Sequence, residues 1–162
     1  SVRDATIDFG PLNVLLGANG AGKSNLLSVF ELLGALADDR LALYARERGG
    51  PDALLHNGSK FTSQLRFGVE LERQRYSVEI SFDDDGAAFV GRESLAQRAG
   101  SGDFRVINDF FTQGGGQRPV LIFEAPAVPA AKSVLDALRS LRVYHFHDTS
   151  RTAAVRREGQ LD

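Results

Sequence analysis

The sequence predicts an α/β fold in which a parallel core sheet carries a glycine-rich loop and an antiparallel β-layer covers it. Three observations carry that prediction. Val14-Leu15-Leu16 is a short continuous aliphatic run, the pattern of a strand buried on both faces. A loop with glycines at Gly17, Gly20 and Gly22 follows it and opens into apolar residues at helical spacing. Further on, two adjacent runs alternate apolar and polar residues, as a half-buried antiparallel hairpin does.

Taken in order, Ala5 to Phe9 alternates weakly and reads as a strand, and Gly10-Pro11 reads as a turn. The core strand at Val14 to Leu16 comes next, then the loop from Gly17 to Ser24. Leu26, Leu27, Val29, Phe30, Leu33, Leu36 and Ala37 share one helical face. That helix is expected to run past Asp38-Asp39 to Arg46, before Gly49-Gly50-Pro51 stops it. Leu65, Phe67, Val69 and Leu71 alternate with polar residues or glycine, as do Tyr76, Val78, Ile80 and Phe82. Arg73-Gln74-Arg75 joins the two runs, and Asp83 to Gly86 turns into a third strand at Ala87 to Val90. Residues 92–117 are poorly patterned, with a short helix expected at Asp103 to Phe111. Ala130 to Leu141 reads as a helix and Arg142 to Phe146 as a strand. The chain is thus expected to be a single lobe over 1–162. It comprises a loop-bearing strand–helix unit (1–48), an antiparallel layer (61–91), and a helix and strand returning to the core (127–148).

Composition narrows the class. The chain is 43% hydrophobic and 25% charged, which is globular, and its formal net charge is -2. No global basic field gathers nucleic acid, so DNA is an unsupported partner, although a local basic face is not excluded. The absence of cysteine excludes disulfides and thiolate metal sites. No apolar run approaches the roughly 20 residues a membrane span needs, and no signal peptide is evident, so a soluble cytoplasmic protein is expected. The sequence contains no methionine, even at position 1, and reads as a piece of a longer chain. Only Lys23, Lys60 and Lys132 are lysines among 19 basic residues, which makes the lysine in the loop more informative.

Gly17-Ala18-Asn19-Gly20-Ala21-Gly22-Lys23-Ser24 satisfies G-x-x-x-x-G-K-[ST], the P-loop or Walker A pattern. Glycines open backbone conformations closed to other residues and let successive N–H groups converge on phosphate oxygens. The helix that follows adds its positive dipole end. Lys23 suits the β- and γ-phosphates, and the Ser24 hydroxyl suits Mg²⁺. The pattern sits between a strand and an amphipathic helix, the context that gives it meaning.

The wider motif, Asn13-Val14-x-x-Gly17-x-Asn19-Gly20-x-Gly22-Lys23-Ser24-Asn25-Leu26-Leu27, resembles the first motif of the SMC, RecF and related ABC-type ATPases. Asp8-Phe9-Gly10-Pro11 matches the lead-in to that motif, and Val143 to Ser150 is similar to a segment of bacterial AAA-family ATPases related to RecF. The resemblance covers both ends of the chain, and the middle matches in pattern only. It implies the nucleotide-binding lobe of an ABC-type head, with ATP and Mg²⁺ as cofactors. It places Gly17 to Asn25 on the nucleotide, with Asn19 near the γ-phosphate. It implies a head-to-head homodimer held by ATP, or a second chain that supplies the missing lobe. A complete head also needs a Walker B strand ending in Asp-Glu and a serine-glycine signature loop, and neither occurs here.

Two segments imitate those parts. Gly115-Gly116-Gln117 followed by Val120 to Pro126 looks like a signature loop feeding Walker B, but Phe123 occupies the position of the metal aspartate. It reads as a glycine-rich surface loop leading into an apolar segment. The run Val143 to Asp148 ends in a carboxylate. In RecF-like heads a strand at this stage leads to a polar residue near the metal, so Asp148 is a candidate contact to Mg²⁺ or water; otherwise it caps the next segment. His147 is a weaker candidate. His145 and His147 alternate to one side but lack a third zinc ligand, and His56 is expected to pack or to hydrogen-bond. Asp83-Asp84-Asp85-Gly86 fits a GTPase D-x-x-G, yet it falls in a hairpin turn and no guanine-reading motif follows. Three functions stay open: an ATPase lobe active only when completed, a nucleotide-gated interaction module, and a P-loop small-molecule kinase.

Overall fold

The computed structural model describes residues 4–100, 102–116 and 118–144. Helix α1 spans Lys23–Ala37, α2 Leu41–Glu47 and α3 Pro51–Leu54. Strands β1 (Gln64–Glu70), β2 (Gln74–Phe82), β3 (Ala88–Arg98) and β4 (Phe104–Gly116) follow, then α4 (Val120–Glu124) and α5 (Pro129–Ser140). The strands form one antiparallel sheet in the order β1-β2-β3-β4.

The β1–β2 hairpin follows directly from its alternation. Leu65 pairs with Ile80, Phe67 with Val78 and Val69 with Tyr76, so all six side chains share one face. Tyr76, Val78 and Ile80 are buried there with Ala88, Val90 and Leu95 of β3. Against this face pack Leu32, Leu33 and Leu36 of α1, Leu41 and Ala45 of α2, Leu121 of α4, and Val134, Leu135 and Leu138 of α5. The opposite face is polar. A ladder of alternating charge crosses it: Arg66 pairs with Glu79, Glu79 stands opposite Arg92, and Arg92 pairs with Asp109.

Several expectations are corrected. The helix from the loop does not reach Arg46 unbroken. It ends at Ala37, Asp39 adopts φ 61°, and α2 begins at Leu41. The break is braced from the other end of the chain: Arg118 pairs with Asp39 at 2.5 Å, and Arg139 Nε donates to the Ala37 carbonyl at 3.2 Å. Asp103 to Phe111 is not helical but lies in β4. Phe104, Ile107 and Phe111 fall at helical spacing because one residue is inserted: Ala96 pairs with Val106 and Leu95 with Asn108, which leaves Ile107 as a bulge. In β3 the register shifts likewise, from Glu79 opposite Arg92 to Ile80 opposite Val90, so Gly91 is the extra residue. That bulge turns Val90 and Glu93 to the same face and erases the simple alternation.

The parallel core sheet is not seen among the described residues. Residues 5–18 form no strand, and the sheet present is antiparallel throughout. Among the described residues, the backbone of residues 4–17 makes no backbone hydrogen bond. Val14 is 72% exposed and Leu16 90%. A run that is apolar on both sides becomes a central strand only when strands flank it and layers cover it, and the described chain supplies neither. The expected turn is present: Asn13 Oδ1 accepts from the Gly10 N–H at 3.0 Å, and Asn13 Nδ2 donates to the Gly10 carbonyl at 2.8 Å. Phe9 then packs edge-on against Phe30 of α1, with centroids 5.4 Å apart. Arg142 to Tyr144 likewise form no strand, and the rest of that expected strand lies outside the described residues.

Candidate phosphate-binding site

The loop preceding α1 has the backbone that its glycines allow. Gly20 has φ 84° and Gly22 φ 92°, both in the left-handed region. A Cβ on Gly17 would stand 3.1 Å from the Ala21 Cβ, so the turn closes tightly there. The Ala21 N–H donates to the Ala18 carbonyl at 3.2 Å and holds the loop in its curl.

Helix α1 then begins without a cap. Gly22 offers no side-chain acceptor, and no acidic residue lies in the first turn. The first helical bond runs from the Leu26 N–H to the Gly22 carbonyl at 3.0 Å. The N–H groups of Lys23, Ser24 and Asn25 precede it and are the unpaired donors of the helix end. Together with the dipole of a 15-residue helix, they make the loop mouth a place for an anion. Lys23 adds a full positive charge. Its Nζ donates to the Gly17 carbonyl at 2.6 Å and the Ala18 carbonyl at 2.8 Å, so the ammonium lies across the loop itself. Ser24 and Asn25 are exposed beside it, and Asn19, Gly20 and Ala21 face solvent. A polyphosphate fits this donor set: main-chain N–H groups, one ammonium and a neighbouring hydroxyl suited to a magnesium ion.

The structure therefore brings Gly17, Ala18, Asn19, Gly20, Ala21, Gly22, Lys23, Ser24 and Asn25 into one contiguous surface. Asp148, His145 and His147 lie outside the described residues. His56 sits in a turn, where its carbonyl accepts from Thr62 Oγ1 at 2.8 Å. Val120 to Glu124 is a short helix with Phe123 58% exposed, so no Walker B strand exists there. Asp83 closes the β2–β3 turn, where its Oδ1 accepts from the Ala87 N–H at 2.7 Å. The loop is an open surface, not a cavity. A groove of about 400 Å³ lies elsewhere, between α1, α2 and the end of α5. Several of its polar groups are engaged: Tyr44 donates to Glu31 at 3.3 Å, and Arg142 donates to the Arg139 carbonyl.

Gly22→Ala is expected to lower stability by about 1–2 kcal/mol, because alanine at φ 92° brings its Cβ against the following carbonyl. Urea unfolding reads this directly, and an unchanged midpoint would show that the loop does not hold that conformation.

Periodicity gave no sign of one polar cluster. Glu93 is 3% exposed. Its Oε1 accepts from Tyr76 OH at 2.6 Å and the Leu121 N–H at 3.3 Å, and its Oε2 accepts from the Val120 N–H at 2.6 Å. Burial raises its carboxyl above the ordinary value, while the three donors pull it down. Burial and the nearby carboxylate push the Tyr76 phenol well above its ordinary range. The cluster fastens β3 to the start of α4 and takes no part in the loop.

Residues 12–123 match the family described as "AAA domain, putative AbiEii toxin, Type IV TA system". No curated protein and no solved structure matches the chain.

Proposed function

Because the chain belongs to this family of AAA domains, a P-loop ATPase family whose match spans more than half of it, we propose that it is the ATP-binding lobe of a RecF- and SMC-like ATPase, completed by elements beyond the described residues. The observation that carries this reading is the bare N-terminus of α1 behind the Gly17–Ser24 loop, with Lys23 folded across its mouth. In this reading the loop amides and the first N–H groups of α1 hold the β- and γ-phosphates. Lys23 would turn from the two carbonyls to those phosphates, Asn19 would lie near the γ-phosphate, and the Ser24 hydroxyl would be one ligand of Mg²⁺, whose chemistry would be to neutralise phosphate charge.

Asp148 is proposed as a further contact to Mg²⁺ or to the attacking water. Arg139, nine positions earlier in the sequence, donates to the Ala37 carbonyl at the end of α1, the helix that carries the loop. The exposed run Leu12 to Leu16 is proposed to become the strand of a parallel core once flanking strands are supplied.

Turnover by this chain alone is expected to be low. Phosphoryl transfer depends on charge placed in advance around the reacting group and on a positioned water, and the described residues build one side of that arrangement. Phosphate release from Mg-ATP at or near the uncatalysed rate is the expected result. Appreciable hydrolysis by the isolated chain would refute the incomplete-site reading.

A second reading is a nucleotide-gated interaction module whose output is binding. The open apolar run at 12–16, next to the nucleotide loop, favours it. The family description also names a toxin of a type IV toxin–antitoxin system, a setting that suits a chain acting through a partner. Activity that appears only when a second polypeptide is added would favour this reading. No helix of the described residues is long and apolar enough to cross a membrane.

A further inference from the structure

Strand β1 lies at one edge of the sheet, paired with β2 alone. Among the described residues no backbone hydrogen bond reaches its outer edge. Such an edge is a template for another strand unless charge, proline or a covering element blocks it. Here its charges do not block a copy of itself. An antiparallel pair centred on Gly68 sets Arg66 opposite Glu70 of the other copy, twice by symmetry. It sets Phe67 opposite Val69 and Leu65 opposite Leu71 on the apolar face, and leaves only glycine hydrogens on the axis. Shifting the centre to Arg66 would place two guanidiniums face to face, and shifting it to Phe67 or Val69 would leave Arg66 or Glu70 opposite glycine, so Gly68 is the centre that sets the two charges of β1 against each other.

The surrounding ion pairs continue without a break. Within one copy, Asp109, Arg92, Glu79 and Arg66 alternate in sign across the polar face. Glu70 pairs with Arg75 at 2.8 Å and with Arg98 at 2.9 Å. Joining Arg66 to Glu70 of a second copy extends the alternation into its Arg75, and like charges never meet. The side chains of Arg66 and Glu70 are 72% and 47% exposed, so a second copy can share them with the partners they already have.

We propose that two copies of this chain pair through β1, centred on Gly68, to form one continuous eight-stranded antiparallel sheet. The interface is separate from the phosphate loop and needs no nucleotide, so it stands or falls independently of the proposed function. The test is sedimentation equilibrium on the chain without nucleotide, at high micromolar concentration. The wild type is expected to dimerise. Arg66→Glu and Glu70→Arg each put like charges together twice. Each is expected to weaken dimerisation about tenfold, which is about 1.4 kcal/mol shared between two pairs that change from opposite to like charge. An equimolar mixture of the two variants restores both opposite-charge pairs and is expected to form the heterodimer. Circular dichroism of each variant checks that the sheet persists. A monomeric wild type, a dimer indifferent to both substitutions, or a mixture that does not recover would each overturn the proposal.

Discussion

Lys23→Ala is expected to weaken Mg-ATP binding on the order of 100-fold while leaving the fold in place. Hydrogen bonds to charged groups contribute about 1.5–3 kcal/mol, and 1.4 kcal/mol is a factor of about ten in affinity. In the described state the ammonium is held by the carbonyls of Gly17 and Ala18 on an exposed loop. Water replaces it there at little cost, and alanine favours the helix that starts at this position. Titration calorimetry reads the affinity, and circular dichroism reads the fold. Unchanged affinity would remove Lys23 from the phosphate site. A collapsed fold would make its bonds to the loop structural.

Glu93→Ala is expected to be the most destabilising substitution in the sheet. Its carboxylate is the acceptor for Tyr76 OH and for the N–H groups of Val120 and Leu121, all from inside the protein. Removing it strands three donors, at about 1–3 kcal/mol for each one that water cannot reach, so a loss of roughly 3–5 kcal/mol is expected. For a chain of this size that lowers Tm by roughly 10–15 °C. Glu93→Gln retains one acceptor and is expected to fall between. The pH dependence has a definite sign. Burial raises the Glu93 carboxyl in the folded state above its ordinary 4.5. The folded chain therefore holds that proton more tightly than the unfolded chain does. The resulting stabilisation is full below 4.5 and is lost as pH rises through the raised value. The Tm advantage of wild type over Glu93→Gln is expected to narrow across that interval. A widening gap would mean that the three donors outweigh burial.

These two residues also mark the limits of reading the sequence. The turn and helix start around Lys23 were legible because they are local: eight consecutive residues carry them. The β1–β2 hairpin was legible for a similar reason, since its alternation runs unbroken from Leu65 to Phe82 across one short turn. Strands β3 and β4 were obscured by single-residue bulges at Gly91 and Ile107, which shift the period and make a strand resemble a loop or helix. Glu93 was hidden because its partners lie 17, 27 and 28 positions away. The strand expected at Val14 to Leu16 shows the converse. Its pattern is that of a core strand, but a strand exists only with neighbours, and a sequence pattern cannot supply them. The break in α1 at Asp39 is likewise set by distant partners, Arg118 and Arg139.

The central claim is that the amides from Gly17 to Asn25 hold a nucleotide's phosphates. Amide NMR of the chain during titration with Mg-ATP tests it residue by residue. Large shifts at Gly20, Gly22, Lys23 and Ser24 that saturate together, with Glu93 and the sheet amides unmoved, are the predicted result. Loop amides that stay in place at saturating Mg-ATP would contradict the account.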